Sequence, residues 1–307
     1  MHKQLTKWMK YQKERFPLGK YSLLVAAFSA SGLSLSYLLT NARHPLTAQM
    51  FIVAFITTFL IFFQLRVADE HKDFEFDAKY HPERPVPRGL VSLRELRVLA
   101  GVSAFVQLAL CLSLNPVLLF PLAAAWLYMW LMTVEFFAGD WLRKHPILYM
   151  LSHMCILFFT DLFITSCHFM VSNVVPPPAL AYFLATSFCL GVVIELGRKI
   201  KSPQDETNAG DTYSHLWGHQ AAVKIWLTAI AASFLFAILT AAQINAEGNA
   251  LIVLLVLFGL CKTTGKMFVM KPSTWAARKI DNLSGTWALA TYLVLGLIPL
   301  VLYRFFS

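Results

Sequence analysis

The chain has 307 residues, of which 57% are hydrophobic and 14% are charged, and its formal net charge is +9. Its mean hydropathy is +0.58. Typical soluble domains carry about 25% charged residues, so this composition excludes an ordinary soluble domain, a disordered chain, a collagen-like chain and a nucleic-acid-binding protein. The five cysteines lie within apolar stretches and lack metal-like spacing. We therefore expect small buried thiols and no disulfide framework.

The first 20 residues alternate apolar and basic side chains. Leu5, Trp8 and Phe16 are interspersed with lysines, a pattern typical of an amphipathic helix that lies on an anionic membrane face and ends near Pro17. A signal peptide is the alternative, because small residues in the following apolar stretch resemble a cleavage site. The length of the basic leader and of that apolar stretch favours the interfacial helix.

Nine apolar stretches are long enough to cross a bilayer, which requires about 20 residues. They cover residues 21–40, 47–67, 96–114, 116–135, 146–170, 179–197, 220–243, 249–269 and 284–304. The sequence therefore predicts an all-α polytopic membrane protein. It consists of an interfacial segment, residues 1–20, and a single transmembrane domain, residues 21–307, surrounded by the lipid bilayer.

The basic residues indicate the orientation of these spans. With the N-terminus in the cytoplasm, all of the 26 lysines and arginines except Arg43 and Arg304 fall on the cytoplasmic side or at helix ends next to it. This asymmetry agrees with the positive-inside rule. We therefore expect the N-terminus and the polar loops to be cytoplasmic.

A cluster of acidic residues follows the second apolar stretch. Asp69, Asp73 and Asp77 are spaced by four, so on a continuing helix they are expected to share one face. Like charges at this spacing repel, and the end of a helix already carries partial negative charge. A hard cation such as Mg²⁺, with phosphate completing its shell, would relieve both penalties. The alternative is a solvated acidic helix end balanced by nearby basic residues.

A proline-rich segment follows the acidic cluster and ends at a helix start. Its prolines favour a stiff, extended connection that presents Arg84 and Arg88, two residues suited to binding phosphate. Ser92 and Glu95 have the spacing of a capping box, which predicts that a helix begins near Leu93.

Taken together, Asp69-Glu70-x-x-Asp73-x-x-x-Asp77 and Arg84-Pro85-x-Pro87-x-Gly89-x-x-Ser92 resemble the first signature of the UbiA superfamily of intramembrane prenyltransferases. That signature reads N-D-x-x-D-x-x-x-D followed by R-P-L-x-x-G-x-x-S. The leading Asn-Asp is here Asp69-Glu70, which retains oxygen ligands and adds charge. The resemblance extends over nearly the whole chain.

The resemblance implies a UbiA-like helical barrel whose polar mouth binds Mg²⁺ and a polyprenyl diphosphate. It implies that an isoprenoid is transferred to a lipophilic acceptor within the membrane. On this basis the expected metal ligands from the first signature are Asp69, Asp73 and Asp77, and the expected diphosphate ligands are Lys72, Arg84 and Arg88.

The second signature of the family departs from its usual pattern. Where the family commonly has D-x-x-x-D, this chain has Glu195 and Lys199, and the resemblance implies that Glu195 binds Mg²⁺ together with the aspartates of the first signature. Protonated lysine cannot bind Mg²⁺ but can bind a phosphate oxygen. Arg198, Lys199 and Lys201 are therefore expected to replace part of a second metal, or else to be basic flanking residues of the membrane span. The loop carboxylates that could restore a metal ligand are Asp205, which we favour, Glu206 and Asp211.

Two further positions are candidates for function. Asp161 lies within the fifth apolar stretch, where an ionisable residue either faces a cavity and acts on the acceptor or is a hydrogen-bonded packing residue. Lys144 follows Trp141 and Arg143 at the end of the fourth stretch, where relatives often have an aromatic residue before a basic pair that contacts the diphosphate. A basic pair flanking the membrane is the alternative for Lys144.

Two other classes of protein compete with a prenyltransferase. A non-enzymatic descendant of the fold, such as a transporter or a lipid-binding subunit, would retain the helices while its second signature had decayed. A CDP-alcohol phosphotransferase also has spaced aspartates on membrane helices, but its leading D-G-x-x-A-R segment is missing before Asp69.

Overall fold

The computed structural model describes residues 2–41, 43–206 and 212–306, and over these residues the chain is all helical. Nine of its helical segments are long and apolar enough to cross a membrane. The prediction of an all-α polytopic protein with nine spans is therefore confirmed. The five cysteines are free.

The spans are connected by short helices and turns. Four short helices lie outside the spans: α1 (His2–Arg15), α4 (Phe74–Tyr80), α7 (Gly139–Arg143) and α10 (Tyr213–Trp217). The spans themselves are α2 (Leu18–Leu39), α3 (Ala48–Lys72), α5 (Leu93–Leu114), a 3₁₀ turn (Pro116–Leu118) with α6 (Leu119–Thr133), α8 (Pro146–Phe169), α9 (Leu180–Arg198), α11 (His219–Ala242), α12 (Glu247–Met270) and α13 (Thr274–Leu295) with α14 (Leu297–Phe306).

The last span begins about three turns of helix earlier than its apolar stretch, and these turns carry charged residues. α13 starts at Thr274, with Ser273 as its N-cap, rather than near residue 284. The charged residues at 278, 279 and 281 are exposed, whereas Ala277 and Ile280 between them are buried. This first part of α13 is amphipathic, so its charges conceal it from an analysis based on apolar length alone.

The N-terminal helix α1 packs against the protein along one side. Tyr11 of α1 is buried in a cluster with Val67, Val86 and Leu96, which belong to α3, the proline-rich loop and α5. Phe16, just after α1, is also buried and stacks on Tyr21. The helix predicted before Pro17 is therefore present, and it covers the loop that follows α3. Its location at a membrane surface stays a prediction.

The centre of the bundle is α9, which packs against α8, α11 and α13. Small residues allow these helices to approach closely, as is common in membrane proteins. A Cβ atom added to Gly197 of α9 would lie 2.0 Å from Ser284 Oγ of α13. That serine hydroxyl accepts a 2.8 Å hydrogen bond from Trp226 Nε1 of α11, so one position connects three helices.

Asp161 of α8 is buried within the bundle. Tyr292 of α13 donates a hydrogen bond to its carboxylate, and Ser187 of α9 lies 3.2 Å from the Tyr292 hydroxyl. All three side chains are buried. Asp161 therefore connects α8 to α13 and α9, an arrangement that corresponds to the packing alternative. A role of Asp161 in catalysis stays a prediction, because the described hydrogen bonds join its side chain only to residues of neighbouring helices.

The junction of α13 and α14 yields the first prediction. A Cβ atom at Gly296 would lie 2.1 Å from the Ser31 backbone oxygen of α2, and backbone cannot move aside cheaply. Gly296→Ala should force α2 away from α13 and lower the free energy of unfolding by about 1–3 kcal/mol. Thermal unfolding of the purified protein in detergent would measure this change.

Gly285→Ala is the matched control for this prediction. Gly285 lies on the same helix, and a Cβ atom there meets nothing within 4 Å. Alanine has the higher helix propensity, so this variant should be as stable as the wild type or more so. Equal stability of the two variants would contradict close contact between α2 and α13.

Candidate active site

The acidic residues after the second span lie on a nearly continuous helix. Hydrogen bonds of the helical kind join Asp73 N to Asp69 O at 2.8 Å, Asp77 N to Asp73 O at 2.7 Å and His81 N to Asp77 O at 2.8 Å. The chain thus keeps helical spacing from α3 into α4, although Asp73 itself lies between the two helices. We call the end of the bundle where α3 and α9 terminate the acidic end.

The acidic residues of this helix point in two directions. The Asp69 side chain is 54% exposed and Asp73 is exposed, whereas the side chains of Glu70 and Asp77 are 1% and 3% exposed. At about 100° per residue, Asp77 lies about 80° from Asp69 but only about 20° from Glu70. The expectation that all three aspartates share one face is therefore wrong for Asp77, which lies with Glu70.

The two buried carboxylates are paired with arginines. Arg15, at the end of α1, lies 2.5 Å from Glu70 and 3.7 Å from Asp77. Arg84 of the proline-rich loop contacts Asp77 at 2.5 Å. Buried charges need such partners because their desolvation is costly. Glu70, Asp77 and Arg84 therefore hold α1 and the loop against the end of α3.

The remainder of the proline-rich segment is also fixed by polar contacts. Arg88 contacts Glu14 of α1 at 2.8 Å and donates to the Glu83 carbonyl. Ser92 and Glu95 form the predicted capping box, which confirms the helix start at Leu93. Arg84 and Arg88, both expected at the diphosphate, thus bond to the carboxylates of Asp77 and Glu14. Their binding of diphosphate stays a prediction.

The second signature lies at the end of α9. Glu195 is 13% exposed and is paired with Arg198 at 2.6 Å and with Lys199 at 3.3 Å. The Lys199 ammonium also lies 5.5 Å from the centre of the Tyr213 ring, and the Tyr213 amide donates to the Lys199 carbonyl. The lysine that replaces an acidic residue is therefore held beside the remaining carboxylate.

The two signatures meet at the acidic end. Asp69 lies within electrostatic range of Arg198 and Glu195, and it contacts Arg66 at 3.4 Å. Although Asp73 is accessible, the surrounding protein removes part of its hydration, and this desolvation raises its pKa above the ordinary value. The charges of Asp69 and Asp77 raise the pKa further, whereas Lys72 and Lys199 lower it. A raised pKa in an accessible carboxylate indicates a site that a cation would favour.

The loop carboxylates after α9 have other partners. Asp205 accepts a 2.6 Å hydrogen bond from Ser202, which lowers the pKa of Asp205. Glu206 accepts bonds from Thr212 and Ser214 at 2.5 and 2.9 Å. These contacts join Asp205 and Glu206 to Ser202 and to described residues at the start of α10. Asp205 as a metal ligand stays a prediction, and Asp211 lies outside the described residues.

Glu135 is a carboxylate at this end of the molecule that the sequence analysis missed. Its side chain contacts Lys72 at 3.2 Å, Arg143 at 2.5 Å and the Tyr149 hydroxyl at 3.2 Å. Tyr149 lies within electrostatic range of Asp69 and Asp73, so the group formed by Glu135, Lys72, Arg143 and Tyr149 is near these aspartates. The only signal in the sequence is an acidic residue at the very end of an apolar stretch.

An uncommon backbone conformation places Glu135. Glu135, Phe136 and Phe137 all have positive φ, at 48°, 53° and 58°. Such a conformation costs a non-glycine residue about 1–3 kcal/mol and persists only where surrounding contacts stabilise it. Phe136 packs edge-on against His153 and Tyr128, which supplies part of that stabilisation.

Two lysines singled out from the sequence differ in their surroundings. Lys144 is exposed at the end of α7. Lys72 is at the acidic end, but its ammonium is bonded to Glu135, Tyr149 and His153. Over the residues described, no three His, Cys, Asp or Glu side chains converge closely enough to hold a metal without further ligands.

An open apolar groove of about 450 Å³ lies between α8 and α9, at the end of α9 opposite Glu195. Phe158, Phe188 and three consecutive prolines, residues 176–178, are among its lining residues. Its surface suits hydrocarbon, as does any lipid-facing groove.

The comparisons with known proteins identify the family. The UbiA prenyltransferase family model matches residues 25–280. The chain belongs to this family. The chain has no significant match among curated protein sequences. The UbiA resemblance found in the motifs is therefore confirmed at the level of the family.

Solved structures of UbiA homologues share the fold. A UbiA homologue from Aeropyrum pernix K1 has a TM-score of 0.68 at 16% identity, with 93% of this chain and 98% of that chain covered. A structure described as digeranylgeranylglyceryl phosphate synthase has a TM-score of 0.56 at 15% identity, covering 90% and 96%. A UbiA homologue from Archaeoglobus fulgidus has a TM-score of 0.51 at 11% identity, covering 94% and 99%. At these identities the likeness concerns the fold.

The arginine between Glu70 and Asp77 yields the second prediction. Arg15→Met retains an apolar stem but leaves two buried carboxylates without this partner, so the free energy of unfolding should fall by about 3 kcal/mol. Thermal unfolding would measure the loss, and limited proteolysis should show earlier cleavage within α1.

Arg88→Met is the matched control, because Arg88 pairs with a carboxylate at the surface. The Glu14 side chain is 40% exposed, and exposed ion pairs contribute about 0–1 kcal/mol. Equal losses in the two variants would contradict a special role of Arg15 at the acidic end.

Proposed function

We propose that the protein is a Mg²⁺-dependent intramembrane prenyltransferase, which moves an isoprenoid from its diphosphate to a lipophilic acceptor. The observation that carries this proposal is the electrostatic coupling of the two signatures: the accessible Asp69 lies within range of the charges of Glu195 and Arg198, and the accessible Asp73 within range of Lys199. Membership of the UbiA family supports it. So does structural similarity to a protein described as digeranylgeranylglyceryl phosphate synthase.

The donor set fits magnesium that is shared with a substrate. Asp69, Asp73 and Glu195 offer carboxylate oxygens, and no closed cage of three side chains exists in the described part of the chain. Mg²⁺ is usually bound through one or two carboxylates while phosphate and water complete its shell. When bound, it would neutralise charge on the diphosphate.

The cationic residues would stabilise the leaving group. As the carbon–oxygen bond of the donor breaks, negative charge develops on the diphosphate, and we expect Arg198 and Lys199 to bind its oxygens. Fixed cations are most effective where water is scarce, because the low dielectric strengthens their attraction. The acceptor then attacks the allylic carbon and loses a proton. Arg84, Arg88 and Lys144 remain candidates for later contacts with the diphosphate.

The distribution of basic residues indicates which side of the membrane the acidic end faces. We propose that the acidic end faces the cytoplasm, because the lysine and arginine distribution follows the positive-inside rule. A soluble isoprenoid diphosphate would then enter its site from the cytoplasm while its chain enters the bilayer.

A non-enzymatic membrane protein is the second candidate. Lys199 in place of an acidic residue favours it, since the second metal ligand of the usual pattern is lost. Diphosphate release separates the two candidates, because only the enzyme should produce it.

The third prediction concerns Asp73. Purified protein in detergent, supplied with Mg²⁺, geranyl, farnesyl or geranylgeranyl diphosphate and a membrane-lipid extract, should release diphosphate. Asp73→Asn removes one charge from the accessible face of the acidic helix and should lower the rate at least about 100-fold. Mass spectrometry of the extract would then identify the acceptor.

Glu75→Gln is the control, since Glu75 is an exposed carboxylate of α4 two residues away. Release that persists in Asp73→Asn or needs no Mg²⁺ would contradict the proposed chemistry. No release from any donor would favour the non-enzymatic candidate.

The fourth prediction concerns Lys199. If this lysine replaces one divalent cation, release by the wild type should rise with Mg²⁺ concentration with a Hill slope of about 1. Lys199→Asp would place two carboxylates one helical turn apart, and the slope should rise towards about 2.

Lys201→Asp makes the same charge change two residues later. The Lys201 amide donates to the Ser214 hydroxyl of α10, and the slope should stay at the wild-type value. A steep Mg²⁺ dependence in the wild type would show that Lys199 replaces no metal.

A further inference from the structure

The Glu135 carboxylate contacts cations on both of its sides. Lys72 lies 3.2 Å from Oε1, and Arg143 lies 2.5 Å from Oε2. Glu135 is 13% exposed and Lys72 is 18% exposed, so both are largely removed from bulk water. Lys72 immediately precedes Asp73 in the chain. The position of its charge therefore bears directly on the accessible aspartates.

The backbone around Glu135 places its carboxylate in this position. Three residues with positive φ turn the chain after α6, and Gly139 leaves the space that the carboxylate occupies. A Cβ atom at Gly139 would lie 2.1 Å from Glu135 Oε2. A surface carboxylate would need neither feature.

The partners of Lys72 hold its ammonium in one direction. His153 Nδ1 lies 2.8 Å from the Tyr149 carbonyl, so Nδ1 donates and Nε2 is left as an acceptor. Lys72 Nζ donates to that Nε2 at 3.3 Å and to the Tyr149 hydroxyl. With Glu135, these acceptors match the three donors of an ammonium group. They hold the Lys72 ammonium against Glu135 and α8, where its charge is still within range of Asp69 and Asp73 but forms a close ion pair with neither of them.

We propose that Glu135 is a positioning residue, which holds Lys72 away from Asp69 and Asp73 and thereby preserves the affinity of these aspartates for a divalent cation. This inference rests on the proposed function. Without Glu135, the ammonium of Lys72 would be attracted by the aspartates next to it. It would then compete with the cation for the same carboxylates.

The test is a double-mutant cycle read out by cation binding rather than by activity. Binding of Mn²⁺ in the presence of inorganic diphosphate is measured by water-proton relaxation enhancement on the full-length protein in detergent. Glu135→Gln should weaken Mn²⁺ binding about tenfold, because the released Lys72 ammonium would place a positive charge close to Asp69 and Asp73 and repel the cation. Lys72→Met should bind at least as tightly as the wild type.

The double variant decides how Glu135 acts. If it acts through Lys72, Lys72→Met with Glu135→Gln should bind Mn²⁺ like Lys72→Met alone. If Glu135→Gln weakened Mn²⁺ binding to the same extent in the wild type and in Lys72→Met, the charge of Glu135 itself would be responsible. The proposal would then be overturned. The double variant loses one charge of each sign, so a folding defect from an unpaired buried charge is avoided.

Two controls separate the possible failures. Asp140→Asn removes the other carboxylate paired with Arg143, at 2.7 Å, without touching Lys72, and it should bind Mn²⁺ like the wild type. Asp73→Asn sets the background. Binding by the wild type no stronger than this background would overturn the proposed cation site and this inference together. Strong Asp73-dependent binding that Glu135→Gln leaves unchanged would overturn the positioning role alone.

Discussion

Compensation of negative charge governs the acidic end of this protein. Carboxylates crowd there at the ends of helices, where the backbone adds partial negative charge and where water is restricted. Each carboxylate must therefore meet a cation or remain open to one. Glu70 and Asp77 meet arginines, Glu195 meets Arg198 and Lys199, and Glu135 meets Lys72 and Arg143. Asp69 has a longer 3.4 Å contact with Arg66. The uncompensated negative potential is consequently concentrated at Asp69 and Asp73.

This compensation depends on a segment outside the region matched by the family model. Arg15 belongs to α1, whereas the match begins at residue 25. α1 is nevertheless joined to the first signature by the Arg15 pairs, by the contact between Glu14 and Arg88 and by the burial of Tyr11. The N-terminal helix is thus a structural part of the site region. Its basic residues Lys7 and Arg15 pair with carboxylates of α5 and α3.

The sequence predicts the spans well and the site less completely, for physical reasons. Apolar length identifies a span directly, so eight of the nine spans have both ends within about five residues of the prediction, and the exception is the amphipathic start of α13. Helical spacing placed Asp69 and Asp73 together, but the fate of Asp77 was decided by Arg15, a residue 62 positions earlier in the chain. Glu135 was missed because its contacts depend on a left-handed backbone conformation at residues 135–137, where the sequence has no glycine to indicate it.

The change at Lys199 is consistent with the electrostatics of the rest of the site. Replacing an aspartate by a lysine raises the local charge by two units, which is the charge of one Mg²⁺ ion. A lysine fixed 3.3 Å from Glu195 supplies this charge permanently, whereas a metal supplies it only when bound. By the same reasoning, a freely moving Lys72 ammonium beside Asp73 would compete with the Mg²⁺ ion of the proposed site. Under the proposed function, Lys199 would replace one metal ion, whereas the contact with Glu135 would keep the Lys72 ammonium from displacing the other.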